Sequence, residues 1–186
     1  MSKKLKGDFK DKLKNLKEYV ALATVESKDY QKTNLKIIRH LTEEENISGV
    51  YVTLNKPYET MISTFKENNI DTKMILFIDA ITKIVGGNVK KKGNCLFIGS
   101  PEKLSDISIA MDQAVMSLPQ EKFVFFDSLS ILLLYNNPRI VAKFIHFLSG
   151  KMRVWHVRGI IISLRKKEDK ELIKELLQFC DVELEF

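Results

Sequence analysis

The chain has 186 residues, 45% of them hydrophobic and 29% charged, the balance of an ordinary globular domain with enough chain to bury one sizeable core. No apolar run approaches the roughly 20 residues that span a bilayer, and the charged N-terminus lacks an apolar core segment, so neither a transmembrane helix nor a secretory signal is expected. The net charge of +6 is unevenly held: residues 1–17 contain seven lysines against Asp8 and Asp11, which leaves the remainder nearly neutral and without the overall basicity of a dedicated nucleic-acid binder.

In chain order, Leu5, Phe9, Leu13 and Leu16 come first, at helical spacing in a lysine-rich setting. Residues 1–18 therefore read as an amphipathic segment peripheral to a domain over 19–186. Its lysines are either solvated over that domain or directed at nucleic acid, an anionic membrane surface or an acidic partner. Val20–Val25 reads as a strand, and a helical pattern begins near Lys32 with Leu35, Ile38 and Leu41 on one face. Between them, residues 26–33 fit the phosphate-loop pattern G-x-x-x-x-G-K-[ST] only at Lys32 and Thr33, because Glu26 and Gln31 occupy the glycine positions. The glycines of such a loop permit positive φ and close backbone approach, so that successive N–H groups cradle phosphates at a helix N-terminus.

The rest of the chain alternates strand and helix. Strands are expected at 49–54, 73–79, 94–98, 123–127, 159–164 and 181–186. Helices are expected at Tyr58–Glu67, from Ser100 as N-cap with Pro101 at the first helical position, around Ile140–Leu148, and over Lys167–Phe179, with a turn or helix at Ile131–Tyr135. Gly86 to Gly93 is a lysine-containing loop expected to be flexible. Because the strand runs are apolar on both alternations, the implied fold is α/β, with a mostly parallel sheet covered by helices on both faces. Cys95 and Cys180 sit in apolar runs without metal-ligand spacing and read as free thiols of a cytoplasmic protein. His40, His146 and His156 show no ligand-like grouping, and Trp155 either half-covers the core or offers a ring to a base.

From about residue 19 onward the chain resembles the KaiC-like branch of the RecA-type P-loop ATPases, common in archaea. The resemblance is carried by the strand–loop–helix at 20–41, by Tyr51-Val-Thr-Leu-Asn-Lys-Pro57, Phe77-Ile-Asp-Ala80 and Phe125-Phe-Asp-Ser-Leu-Ser130, and by the strand–helix–strand from Gly159 to Phe186. It implies a RecA-like three-layer fold, with the Val20 strand beside the strand ending in Asp127. It also implies nucleotide contacts from Lys32 and Thr33 and a Mg²⁺-side carboxylate at Asp127. Members of that branch usually follow the second strand with paired acids that supply the general base for water attack; Asn55 and Lys56 stand there instead.

Each surviving residue has an ordinary alternative. Lys32 can be a solvated first-turn lysine, Thr33 a local hydrogen-bond partner, and Asp127 a cap for the next element, with Ser128 and Ser130 sharing that work. Asp79 is expected near the same sheet edge. We therefore read a catalytically degenerate domain, a pseudo-ATPase with no catalytic residue, no resident metal and weak or absent Mg-ATP binding. It would act as a regulatory or assembly module through a protein partner or self-association. The alternatives are a nucleotide-binding switch, and a nucleic-acid-associated accessory protein using the lysine-rich segment.

Overall fold

A computed structural model describes residues 9–87, 89 and 93–186. Seven strands form one sheet: β1 (Tyr19–Val25), β2 (Ser48–Thr53), β3 (Ile75–Asp79), β4 (Cys95–Phe97), β5 (Lys122–Asp127), β6 (Arg158–Leu164) and β7 (Val182–Glu185). Their order is β4-β3-β2-β5-β6-β1-β7, and every neighbouring pair is parallel. Parallel strands need crossovers, and helices supply them on both faces. On one face lie α1 (Phe9–Leu13), α2 (Tyr30–Arg39) and α3 (Tyr58–Glu67); on the other lie α4 (Leu104–Met116), α5 (Leu129–Tyr135), α6 (Pro138–Val154) and α7 (Lys170–Leu176).

The alternation within each strand explains the two cores. Ala21, Ala23 and Val25 of β1, Tyr51 of β2 and Phe123 and Phe125 of β5 pack against α1–α3; Val20, Leu22, Val52, Val124 and Phe126 pack against α4–α7. Strands buried on both sides have no solvent face to keep polar, hence their continuous apolar runs.

Three local expectations are corrected. β6 lies between β1 and β5, so the Val20 and Asp127 strands are parallel but not neighbours. The fourth helix begins at Leu104, because the Ser100 hydroxyl instead accepts from the Glu102 N–H in a turn around Pro101. The amphipathic N-terminal segment is docked where it is described: Phe9 and Leu13 are buried among α2 and β7 residues, while Leu16 is exposed and Leu5 lies outside the described residues. Of the Gly86–Gly93 loop, Asn88 and residues 90–92 also lie outside them. Cys95 is buried and Cys180 partly so; neither is in a disulfide, and burial pushes the Cys180 thiol up to about 12.

Candidate functional site: a closed cleft around Asp127

The carboxyl ends of β1, β2, β3 and β5 converge where an open α/β sheet offers a ligand crevice. Asp127 ends β5 on the α2–α3 side. In the β2–β5 register Tyr51 pairs with Phe125, so Tyr51 and Asp127 are diagonal neighbours on one face. The Tyr51 hydroxyl donates to Asp127 Oδ2 at 2.5 Å. From above, α2 brings Tyr30 and Asn34, one helical turn apart: the Tyr30 hydroxyl donates to Asp127 Oδ1 and the Asn34 amide to Oδ2 at 3.2 Å. Asp127 is 3% exposed and forms no ion pair among the described residues. Burial pushes its carboxyl up to about 8 and pushes the Tyr51 phenol above its ordinary range.

The cavity remaining between Tyr30, Gln31, Asn34, Tyr51, Lys56 and Asp127 is about 20 Å³, the space of about one water molecule. Asn34 Oδ1 there, and Ser128 Oγ at the start of α5, are buried without a hydrogen-bond partner.

The phosphate-loop positions follow a path that needs no glycine. α2 begins at Tyr30, two residues before Lys32, and the Thr33 N–H donates to Asp29 O at 2.8 Å as an ordinary first-turn helical bond. Among the described residues, positive φ outside glycine occurs only at Asn46, Asn69 and His156, so Gln31 carries none of the left-handed geometry that a phosphate cradle requires. Glu26 pairs with Arg165 beyond β6 at 3.1 Å. The Gln31 side-chain carbonyl accepts from Lys56 Nζ at 3.0 Å. Two departures from the ATPase pattern, 25 residues apart in sequence, thus meet across the cleft.

The residues singled out from the sequence separate. Thr33 is buried, Lys32 is exposed on the outer side of α2, and Asp127 is buried beneath Tyr30. Asp79 ends β3 with Thr53 of β2 between it and Asp127. Its carboxylate accepts from the N–H groups of Tyr58, Ile81 and Thr82 and from the Thr82 hydroxyl, so it caps loops and does not join Asp127. Ser130 accepts from the Leu164 N–H at 2.8 Å. Asn55 is exposed. Trp155 is buried, with its indole N–H donating to Asp112 at 2.9 Å. No group of three or more His, Cys, Asp or Glu among the described residues is arranged to hold a metal. Tyr30, Asn34 and Tyr51 were not foreseen from the sequence; the signals available were the i, i+4 spacing of the first two and the strand parity of the third.

An all-parallel sheet with helices on both faces and a crevice at its carboxyl edge defines an α/β domain of RecA-like architecture. The chain belongs to a family of unknown function, DUF7504, matched over residues 35–186, a span that begins after Lys32 and Thr33 and includes Asp127. Among solved structures it is similar to the KaiC-like protein PH0186 of the hyperthermophilic archaeon Pyrococcus horikoshii OT3, with a TM-score of 0.59 and 15% identity over 79% of this chain and 63% of that one. It is also similar to the uncharacterized protein PH0321 of Pyrococcus horikoshii, solved in complex with an unknown peptide, with a TM-score of 0.64 and 13% identity over 95% of this chain and 81% of that one. At these identities the likeness is one of fold. No curated protein matches the chain. Among the described residues, no helix is long and apolar enough to cross a membrane.

Proposed function

We propose that this protein is a KaiC/RecA-like domain without ATPase chemistry, acting in the cytoplasm as a regulatory or assembly module. The observation that carries the reading is the Tyr30 hydroxyl on Asp127: the one carboxyl retained for a Mg²⁺ ion is buried under a phenol contributed by the loop that should hold the phosphates. Mg-ATP does not fit these residues. A hard divalent cation needs open oxygen ligands, whereas both oxygens of the Asp127 carboxyl already accept from Tyr30, Tyr51 and Asn34. A polyphosphate needs a cradle of N–H groups in a glycine-shaped loop, whereas here the Asp29 N–H donates to Glu26 O and the Thr33 N–H to Asp29 O. Lys32 and Thr33 keep their identities without a ligand geometry around them, and Asn55 and Lys56 offer no carboxylate to a water molecule.

A partner surface is available on the opposite face. Ile140, Phe147 and Val154 recur every seven residues along α6 and are exposed, as are Ile109 and Met116 on α4. The two helices are tied side by side by Lys151 and Trp155 on Asp112. Exposed apolar residues at such spacing suit a protein contact, with a second copy or another chain. That PH0321 was solved holding a peptide is a precedent within the fold for a protein partner. Calorimetric titration with Mg-ATP tests the proposal: no saturable heat is expected at micromolar concentrations, and a dissociation constant in the low micromolar range would overturn it in favour of a nucleotide switch.

A further inference from the structure

Several basic side chains on this protein's surface are paired with an acid: Lys151 with Asp112 at 2.8 Å, Arg153 with Asp181 at 2.9 Å, Arg165 with Glu26 at 3.1 Å, Lys174 with Glu171 at 2.8 Å. Beside α2, Lys28 in the turn before the helix and Lys32 and Lys36 on its outer face are exposed, and Arg39, ion-paired with Glu43 at 3.5 Å, follows them. With Gln31, Leu35 and Asn68 they line a groove of about 540 Å³ between α2 and the end of α3. Glu44, the acid on that lining, is held by Lys10 at 2.6 Å and His40 at 2.9 Å, and these contacts, Lys10 first, keep its carboxyl below the usual range. Lys28 and Lys32 have no acidic partner among the described residues.

Lys32 and Lys36 are like charges at i, i+4, which destabilises a helix, so folding alone gives no reason for placing them there. The imbalance is also segregated. Residues 1–39 hold eleven Lys and Arg against five Asp and Glu, the chain's whole net charge of +6, whereas residues 40–186 hold nineteen of each. The fold gathers part of that excess: the Phe9 ring lies 4.9 Å under the Lys36 ammonium, docking the lysine-bearing α1 against the same helix.

We propose that the α2 groove binds the phosphate backbone of nucleic acid without reading sequence. Lysines supply point charges to phosphate oxygens, and several cations along one groove suit a repeating anion. An amphipathic helix settles on a bilayer by presenting an exposed apolar face. Here Phe9 and Leu13 of α1 are turned into the core, and among the described residues, Leu16 apart, the exposed large apolar side chains lie on the loop after β3 and on β4, α4, α5 and α6. The groove adjoins the Asp127 cleft through Gln31 and Leu35 but does not include Asp127, and duplex binding needs no nucleotide, so this proposal stands or falls separately from the loss of ATPase chemistry.

Fluorescence anisotropy with a short DNA duplex of mixed sequence, from about 50 to 200 mM salt, tests it. Four phosphate contacts give a slope of log affinity against log salt of about −3.6, with a dissociation constant on the order of 10⁻⁵ M. Lys28→Ala/Lys32→Ala, which removes two unpaired side chains, is expected to reduce that slope to about −1.8 with an unchanged melting temperature. Lys166→Ala/Lys167→Ala, on the loop after β6, should leave it as in the unmodified protein. Absence of salt-dependent duplex binding, an equal effect of both double variants, or capture by phosphatidylserine vesicles without duplex binding would each overturn the proposal.

Discussion

Asp127 is where sequence and environment pull hardest against each other. In an unfolded chain its carboxyl ionises near 4; in the fold, burial moves that to about 8. Below about pH 4 both states are protonated and the group costs nothing. As pH rises from about 4 to 8 the unfolded chain releases its proton and the folded chain does not, so stability falls by up to about 1.4 kcal/mol per pH unit and levels off above 8. Asp127→Asn keeps the shape and removes the proton. Urea unfolding at about pH 5.5 and 7.5 should therefore show the variant gaining about 2 kcal/mol on the unmodified protein between the two conditions. An equal difference at both would mean that the hydroxyls of Tyr30 and Tyr51 and the Asn34 amide hold Asp127 ionised. This network was illegible in the sequence for a definite reason. A Tyr among polar loop residues has no pattern of its own, and its partner lies 97 residues away. Lys32, Thr33 and Asp127, by contrast, were picked out by identity alone, and identity does not say where α2 starts. Two extra residues of helix turn a phosphate cradle into a first turn.

Among the elements, α1 is the one whose role changes most between pattern and structure. Its stripe was legible, but a lysine-rich stripe fits a detached arm and a docked helix equally well. What decides is the company: the Phe9 ring meets His40 edge-on at 5.4 Å and Phe186 at 5.8 Å, with Lys36 above it. A buried aromatic with such neighbours behaves as core, so Phe9→Ala should cost about 3 kcal/mol in thermal or chemical unfolding. A loss below about 1 kcal/mol would return the segment to the periphery. The strands were the most legible elements, because a short run that is apolar on both alternations and bounded by turn residues suits a strand covered on both faces. Their order was not. β1, β5 and β6 carry interchangeable apolar sequences, and nothing in any of them says that β6, reached only through α5 and α6, inserts between the other two. For the same reason the sequence placed Asp79 and Asp127 at one edge without revealing that Thr53 separates them and that Tyr58, Ile81 and Thr82 occupy the Asp79 carboxylate.

Over the whole molecule, the departures from the ATPase pattern form one connected closure. Glu26 is tied to Arg165 beyond β6, Gln31 to Lys56 beyond β2, and Tyr30 to Asp127 at the end of β5. Cutting one of these three contacts leaves the other two in place, and groups that share a site respond non-additively. Glycine at Glu26 and Gln31 alone should therefore leave Mg-ATP binding undetectable, because the Tyr30 hydroxyl still covers Asp127. Tyr30→Ser alone should fail as well, with the Asp29 and Thr33 N–H groups still bonded to Glu26 O and Asp29 O and the loop still without its glycines. Only Glu26→Gly, Tyr30→Ser and Gln31→Gly together free both the carboxyl and the cradle, and calorimetry on the triple variant should show saturable binding that neither partial variant has. Hydrolysis should not return with it. General-base assistance is worth about 10²–10⁴-fold, and Asn55 and Lys56 still provide no base, so steady-state phosphate release should stay at background in every member of the series. Micromolar binding by the double-glycine variant would remove Tyr30 as the block. Phosphate release by the unmodified protein that disappears in Lys32→Ala would mean that another acid, with Glu59 in the first turn of α3 the foremost candidate, serves a cleft that opens in solution.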